Sequence, residues 1–467
     1  MKRSWKITAA LVAAVIFPSL AALASDEQAG GKQDLVQLVT LEPGHFHAAL
    51  VQKFALPGVS PVVRVFAPQG DDLEQHLKRI ESFNSRAEDP TRWVEQVYTG
   101  ADYVDKALGM FDSPPRLEHP TVLVLSGNNA RKSEYIGRGI HAGMHVLADK
   151  PMIIKPAQFR ALQKNFAAAE ARGVLVYDIM TERFEITTML QRALSQHRSL
   201  FGTLEKGTPE DPAITKISVH NFSKVVAGAQ LKRPQWFFDP EQQGAGIVDV
   251  TTHLVDLVQW EAFPGVALSP SDAKVLSARR WTTPLTLEQF GRVTGAKDFP
   301  GFLKPYIKDD VLHAPSNGEF TYTLKGVHAR VSVTWEFEAP PGAGDTHLSV
   351  MRGTRASLTI RQGAEQGYRP ALYIERAPSV TPAQHQKALM LAMRDVAKTW
   401  PGVDVQREGD QYLVIVPDKY HDGHEAHFTQ VTRNFLGYVR AGKLPEWEVP
   451  NMITKYATIM QAYEKSR

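Results

Sequence analysis

Two hydrophobic rhythms divide the chain. Residues 35–41, 61–67, 121–126, 145–148 and 174–177 are short, nearly continuous apolar runs rich in Val and Leu. Segments 48–54, 72–83, 132–142 and 156–171 between them carry helical spacing, and Gly143 and Gly173 stand where helices would close. Runs with no polar face predict strands covered on both sides, in a parallel, doubly wound α/β sheet. The second half alternates more strictly. Segments 214–222, 274–280, 319–324, 328–337, 348–352, 357–361, 371–375 and 412–416 read as strands separated by turns and few helices. They predict an α+β C-terminal domain with a large, mostly antiparallel open sheet. Segments 423–440 and 450–465 read as closing helices. The change of rhythm near Tyr177–Arg183 gives domains 35–178 and 179–467.

The first residues follow neither rhythm. Lys2, Arg3 and Lys6 precede a short apolar stretch, Ile7 to Phe17, then Pro18 and an Ala22-Leu23-Ala24 cleavage-type sequence. This reads as a signal peptide over 1–24, followed by a polar linker at 25–34. A retained membrane anchor is the rival reading, and the short apolar stretch counts against it. Removing 1–24 takes away three basic residues and no acid, leaving basic and acidic residues equal in number. A neutral exported chain argues against a nucleic-acid partner and against stable membrane insertion. The absence of Cys excludes disulfides, thiolate nucleophiles and zinc–thiolate sites.

Candidate chemistry clusters at the strand ends and in one later segment. Asp249, His253 and Asp256 stand at i, i+4 and i+7 in an apolar sequence, a spacing that puts them on one helical face. Such a polar row is costly to bury unless a polar group, such as a substrate hydroxyl, meets it. In a doubly wound sheet, ligands bind beyond the carboxyl ends of the strands. Gly44, His45, Phe46 and His47, then Ser126, Gly127, Asn128 and Asn129, then Asp149 and Lys150 all fall there, which makes them candidate cofactor residues. The first of these turns keeps one glycine of the G-x-G-x-x-G pattern, and Asp71 and Asp72 come slightly late for the usual acid after the second strand. The His421-Asp-Gly-His424-Glu-Ala-His427 segment has metal-compatible spacing but no evident partner carboxylate, so no metal is expected.

Val146-Leu-Ala-Asp149-Lys150-Pro151 and Gly244-Ala-Gly-Ile-Val-Asp249-Val-Thr-Thr-His253-Leu-Val-Asp256-Leu resemble the two signatures of the glucose–fructose oxidoreductase/inositol dehydrogenase/MocA (Gfo/Idh/MocA) family. Gln235-Trp236-Phe-Phe-Asp239 and Trp260 are similar to that family as well. The likeness is good from Leu35 to Trp260 and loose beyond. The sequence departs in its depleted glycine turn, in Asp149 where Glu is usual and in Thr251 where Gly is usual. The resemblance implies a Rossmann domain holding NAD(H) or NADP(H), with NAD favoured, against the second sheet. It implies Lys150, Asp249 and His253 as catalytic residues, Arg183, Trp236 and Asp256 on the substrate side, and a homo-oligomer. The expected activity is oxidation or reduction of a sugar, sugar derivative or polyol. Outside the cytoplasm, where free dinucleotide should be scarce, a tightly held cofactor and a keto-sugar intermediate would suit it. The alternative is a cofactor-free carbohydrate-binding or scaffold protein that keeps the fold.

Overall fold

A computed structural model describes residues 35–109, 119–226 and 229–466. The expected signal peptide and linker lie outside the described residues. The first half is a six-stranded parallel sheet in the order β3-β2-β1-β4-β5-β6. Its strands are β1 (Val36–Leu41), β2 (Val59–Phe66), β3 (Val94–Tyr98), β4 (Thr121–Leu125), β5 (His145–Asp149) and β6 (Val176–Ile179). All five residues of β4 are buried, as a strand covered on both faces requires. Helices α1 (His47–Leu50), α2 (Asp71–Ser85), α3 (Tyr103–Leu108), α4 (Lys132–His141) and α5 (Phe159–Arg172) connect them. Gly143 (φ 79°) and Gly173 (φ 66°) take left-handed conformations just after α4 and α5, as their placement predicts. The helix expected at 48–54 is cut to one turn, α1, and the chain turns away after it.

The second half builds a ten-stranded sheet. Its strands are β7 (Ile214–Ser223), β10 (Ala273–Thr286), β11 (Ile307–Lys308), β12 (Val311–Leu324), β13 (Val327–Glu338), β14 (Thr346–Arg352), β15 (Ala356–Gln362), β16 (Ala371–Arg376), β17 (Asp404–Glu408) and β18 (Gln411–Ile415). A small hairpin, β8 (Val225–Val226) with β9 (Ala229–Gln230), stands apart. The order is β10-β12-β13-β7-β14-β15-β16-β18-β17, with β11 on β12. Every pairing is antiparallel except β13 with β7. The remaining helices are α6 (Ile186–Ser195), α7 (Thr251–Ala262), α8 (Leu287–Thr294), α9 (Pro382–Thr399), α10 (His424–Ala441) and α11 (Glu448–Lys465). Among the described residues no helix is long and apolar enough to cross a membrane.

One hydrophobic core runs from the parallel sheet through α7 into β12 and β13 and back through α10 and α11; a smaller core lies under α6 and α9. The last two helices therefore return to the first sheet. Tyr456 Oη of α11 accepts a bond from the Met152 amide (3.0 Å) just beyond β5. The carboxyl ends of the parallel strands are thus walled by residues from the far end of the chain.

Candidate active site

β5 ends at Asp149, so Lys150 projects from the carboxyl end of the parallel sheet. Its Nζ donates to Asp249 Oδ1 at 2.5 Å, and both side chains are nearly buried. Asp249 is fixed by its loop. A Cβ on Gly246 would lie 1.8 Å from the Ser316 carbonyl oxygen, so only glycine lets the loop sit against β12. The pair joins the carboxyl end of the parallel sheet to the loop before α7.

His253 lies in the first turn of α7 and is buried, and its Nδ1 has no hydrogen-bond partner among the described residues. Burial, helped by the Lys150 charge, holds its pKa down at about 3. The imidazole is therefore uncharged at neutral pH.

Two expectations need correction here. α7 begins at Thr251, so Asp249 precedes the helix and the three polar residues are not one helical face. Asp256 is buried and committed to two cations. Its carboxylate takes both Nε (2.6 Å) and Nη2 (2.7 Å) of Arg183 and also Lys455 Nζ (2.8 Å). Arg183 donates further to Glu448 (2.9 Å), and Lys455 to Asp178 (2.7 Å). Arg183 and Asp256 are buried members of an ion network tying α7 to α11 and β6.

The strand order places a dinucleotide crevice beside β1 and β4. The turn after β1 is built tightly. A Cβ on Gly127 would stand 1.9 Å from the Glu42 carbonyl oxygen, so the β1 and β4 loops touch. The amides of Gly44, His45 and Ala48 bond to Glu42, Ser126 and His45 carbonyls. They are not free to hold a pyrophosphate in the usual way, and α1 is a single turn. Several expected cofactor residues have other work. Ser126 Oγ donates to Asp149 (2.9 Å). Asn128 and Asn129 donate to Gln242 and Gln243 (2.8 Å each), clamping the loop that leads to Asp249. Trp236 donates to Asp72 Oδ2 (2.8 Å) and closes over Gly44 rather than facing substrate.

Two clefts nonetheless meet at Phe237. One, a narrow cleft, lies between Gly44–Phe46, Asp72, Arg79 and Lys232. The other, also narrow, holds Asp249 among Phe222, Phe238 and Trp335. The first has an acid at the start of α2, where a ribose hydroxyl is usually held, and cations beside it. The second has aromatic walls around a carboxylate, which suits a sugar ring. In place and charge the residues fit a nicotinamide dinucleotide gripped by side chains rather than by turn amides.

A histidine cluster that the sequence left unplaced lies beside His47. His424, at the start of α10, lies 3.3 Å from Glu182 Oε1. The rings of His47 and His424 are 6.4 Å apart and those of His424 and His427 6.2 Å apart. Glu182 is the partner the sequence did not reveal, lying far from His424 along the chain.

Burial lowers His47, His347 and His427 to about 4, alongside His253. Their unfolded pKa is near 6.5. The folded chain therefore binds fewer protons than the unfolded chain between these values. This stability is complete above pH 6.5 and is lost as pH falls from there toward 4. Urea midpoints should drop steadily between pH 7 and pH 5; a flat profile over that window would contradict the buried, neutral assignment.

Comparison with known proteins follows this geometry. A family model described as "Putative oxidoreductase C terminal domain" matches residues 190–467. The crystal structure of a "putative oxidoreductase" from Parabacteroides merdae is 50% identical, with 93% of this chain and 98% of that one covered at a TM-score of 0.88. KijD10, a 3-ketoreductase from Actinomadura kijaniata solved with NADP and TDP-benzene, shares the fold at 14% identity (92% and 98% covered, TM-score 0.53). GenD2 from gentamicin A biosynthesis, solved with NAD, does so at 14% identity (95% and 97% covered, TM-score 0.56). No curated protein matches the sequence. A Rossmann-like parallel sheet joined to a large, mostly antiparallel sheet is thus an oxidoreductase architecture, and the chain belongs to the family defined by that oxidoreductase C-terminal domain.

Proposed function

We propose that this protein is an exported, nicotinamide-dependent oxidoreductase that interconverts a hydroxyl and a ketone on a sugar, sugar derivative or polyol. On this reading it is a divergent relative of the Gfo/Idh/MocA enzymes. The observation that carries the reading is the nearly buried Lys150–Asp249 ion pair, which joins the carboxyl end of the parallel sheet to a carboxylate lining an aromatic-walled cleft.

Bound nicotinamide would supply the hydride acceptor or donor. Asp72, Arg79 and Lys232 would hold the dinucleotide. The chain's own residues manage the oxygen. Lys150, positioned by Asp249, takes the hydroxyl proton in the oxidising direction and, as the ammonium, returns it to the alkoxide in the reducing direction. His253 is too weak a base at about 3 to take an alcohol proton at neutral pH. Its unpartnered Nδ1 instead accepts a hydrogen bond from a substrate hydroxyl. The aromatic walls exclude water and stack the ring.

Export makes free cofactor scarce, so the reading requires a dinucleotide that stays bound through the catalytic cycle. Protein purified from its export compartment and dialysed extensively should release about one NAD(H) or NADP(H) per chain on denaturation, seen by absorbance and mass spectrometry. If none is released and added NADH does not bind, the cofactor-free carbohydrate binder is the better account.

A further inference from the structure

We propose that His45, His47 and Asp149 form a binding site for a divalent first-row transition metal ion. The three residues come from two strand ends, β1 and β5, and each offers a ligand atom within 4.8 Å of the others. His47 Nδ1 lies 2.8 Å and His45 Nδ1 3.7 Å from the same oxygen, Asp149 Oδ2. With metal–ligand bonds of about 2.0–2.2 Å, neighbouring ligand atoms stand roughly 2.9–3.5 Å apart. The observed separations bracket that range, so small side-chain shifts seat an ion.

A hydrogen-bonded pair explains less. The His47–Asp149 contact is a good hydrogen bond, but His45 Nδ1 is too far from the carboxylate to share a proton with it. His45 Nδ1 accepts only a long contact from the His47 amide (3.4 Å), so its lone pair is free of a strong donor. A cation between the three atoms satisfies all of them at once. Partners for an outer shell are present. Ser126 Oγ donates to Asp149 Oδ2 (2.9 Å), and Lys132 Nζ donates to the Asp149 carbonyl (2.8 Å), leaving the carboxylate in place. Lys150, the nearest other cation in sequence, is neutralised by Asp249.

Two imidazoles and one carboxylate suit zinc or a neighbouring divalent ion, and a three-ligand set leaves positions for water or a substrate oxygen. The one-residue spacing of His45 and His47 spans the turn where the glycine pattern is lost. The turn that gave up pyrophosphate amides thus acquires metal ligands.

Chelator-treated, full-length mature protein should take up one Zn²⁺ per chain in equilibrium dialysis. His47→Gln and Asp149→Asn should weaken it by more than about 100-fold. His427→Gln should leave it intact, since His427 lies outside the three ligands. Absence of stoichiometric binding, or binding that survives in all of His45→Gln, His47→Gln and Asp149→Asn, overturns the proposal. Should the variants fail to fold, anomalous diffraction at the zinc edge from wild-type crystals decides it: a peak among these three side chains supports the site, and a peak elsewhere or none refutes it. The readout is metal content, so it stands apart from the nicotinamide reading, which dinucleotide binding to metal-free protein tests separately.

Discussion

Replacing Lys150 by Met should lower turnover by about 10³-fold or more, because the cation bonded to Asp249 is lost from the reacting oxygen. The variant should also lose stability, since Asp249 would be left nearly buried without its partner. The two effects separate in the double variant Lys150→Met/Asp249→Asn. Removing the unpaired charge should recover much of the stability and none of the turnover. If activity returned with stability, the pair would be structural and Lys150 would have no part in the chemistry. His253→Gln gives the contrast. Loss of one substrate hydrogen bond should raise KM about tenfold and leave kcat within a few-fold. A kcat loss of a hundredfold or more would make His253 the proton acceptor instead.

Arg183→Met should destabilise the protein by about 3–5 kcal/mol, because it leaves buried Glu448 without its cation and buried Asp256 with Lys455 alone. Below the new unfolding midpoint, KM for substrate should be unchanged. Denaturant midpoints and steady-state kinetics on one preparation measure both. A raised KM with unaltered stability would return Arg183 to the substrate-facing role that its neighbourhood in the sequence suggested.

The contrast between these residues shows what the sequence could reveal. β1, β4 and β5 were legible because both faces of each strand are covered, leaving unbroken Val and Leu runs. β3 was not, because it is an edge strand whose Val94 and Val97 are exposed (54% and 41%), so neither strand pattern applies. α9 carried a readable signal that went unused. Thr381 and Gln384 form a capping box, and His385, Ala388, Leu389, Ala392, Met393 and Val396 are buried at helical spacing.

In the site, Lys150 and Asp249 were legible as separate candidates because each lies in a motif with its own local logic, but their ion pair was not. Asp256 was misread for the same reason. Its spacing from His253 is right for a shared face, but its partners, Arg183 and Lys455, lie 73 and 199 residues away. No local pattern announces a buried network of that reach. The Glu182–His424 contact was hidden likewise. His45 and His47 were visible only as residues of the cofactor turn, with His47 in place of its last glycine, and their convergence on Asp149 required the β1–β4–β5 strand order.

The most direct measurement is a crystal structure of the protein with NAD(P) bound. Our account predicts the adenosine end beside Asp72 and Arg79, and the nicotinamide ring against Lys150 and His253 with its reactive face toward Phe222 and Trp335. A dinucleotide bound with its nicotinamide remote from Lys150, or a crevice still closed over Glu42 and Gly127 at saturating cofactor, would contradict it.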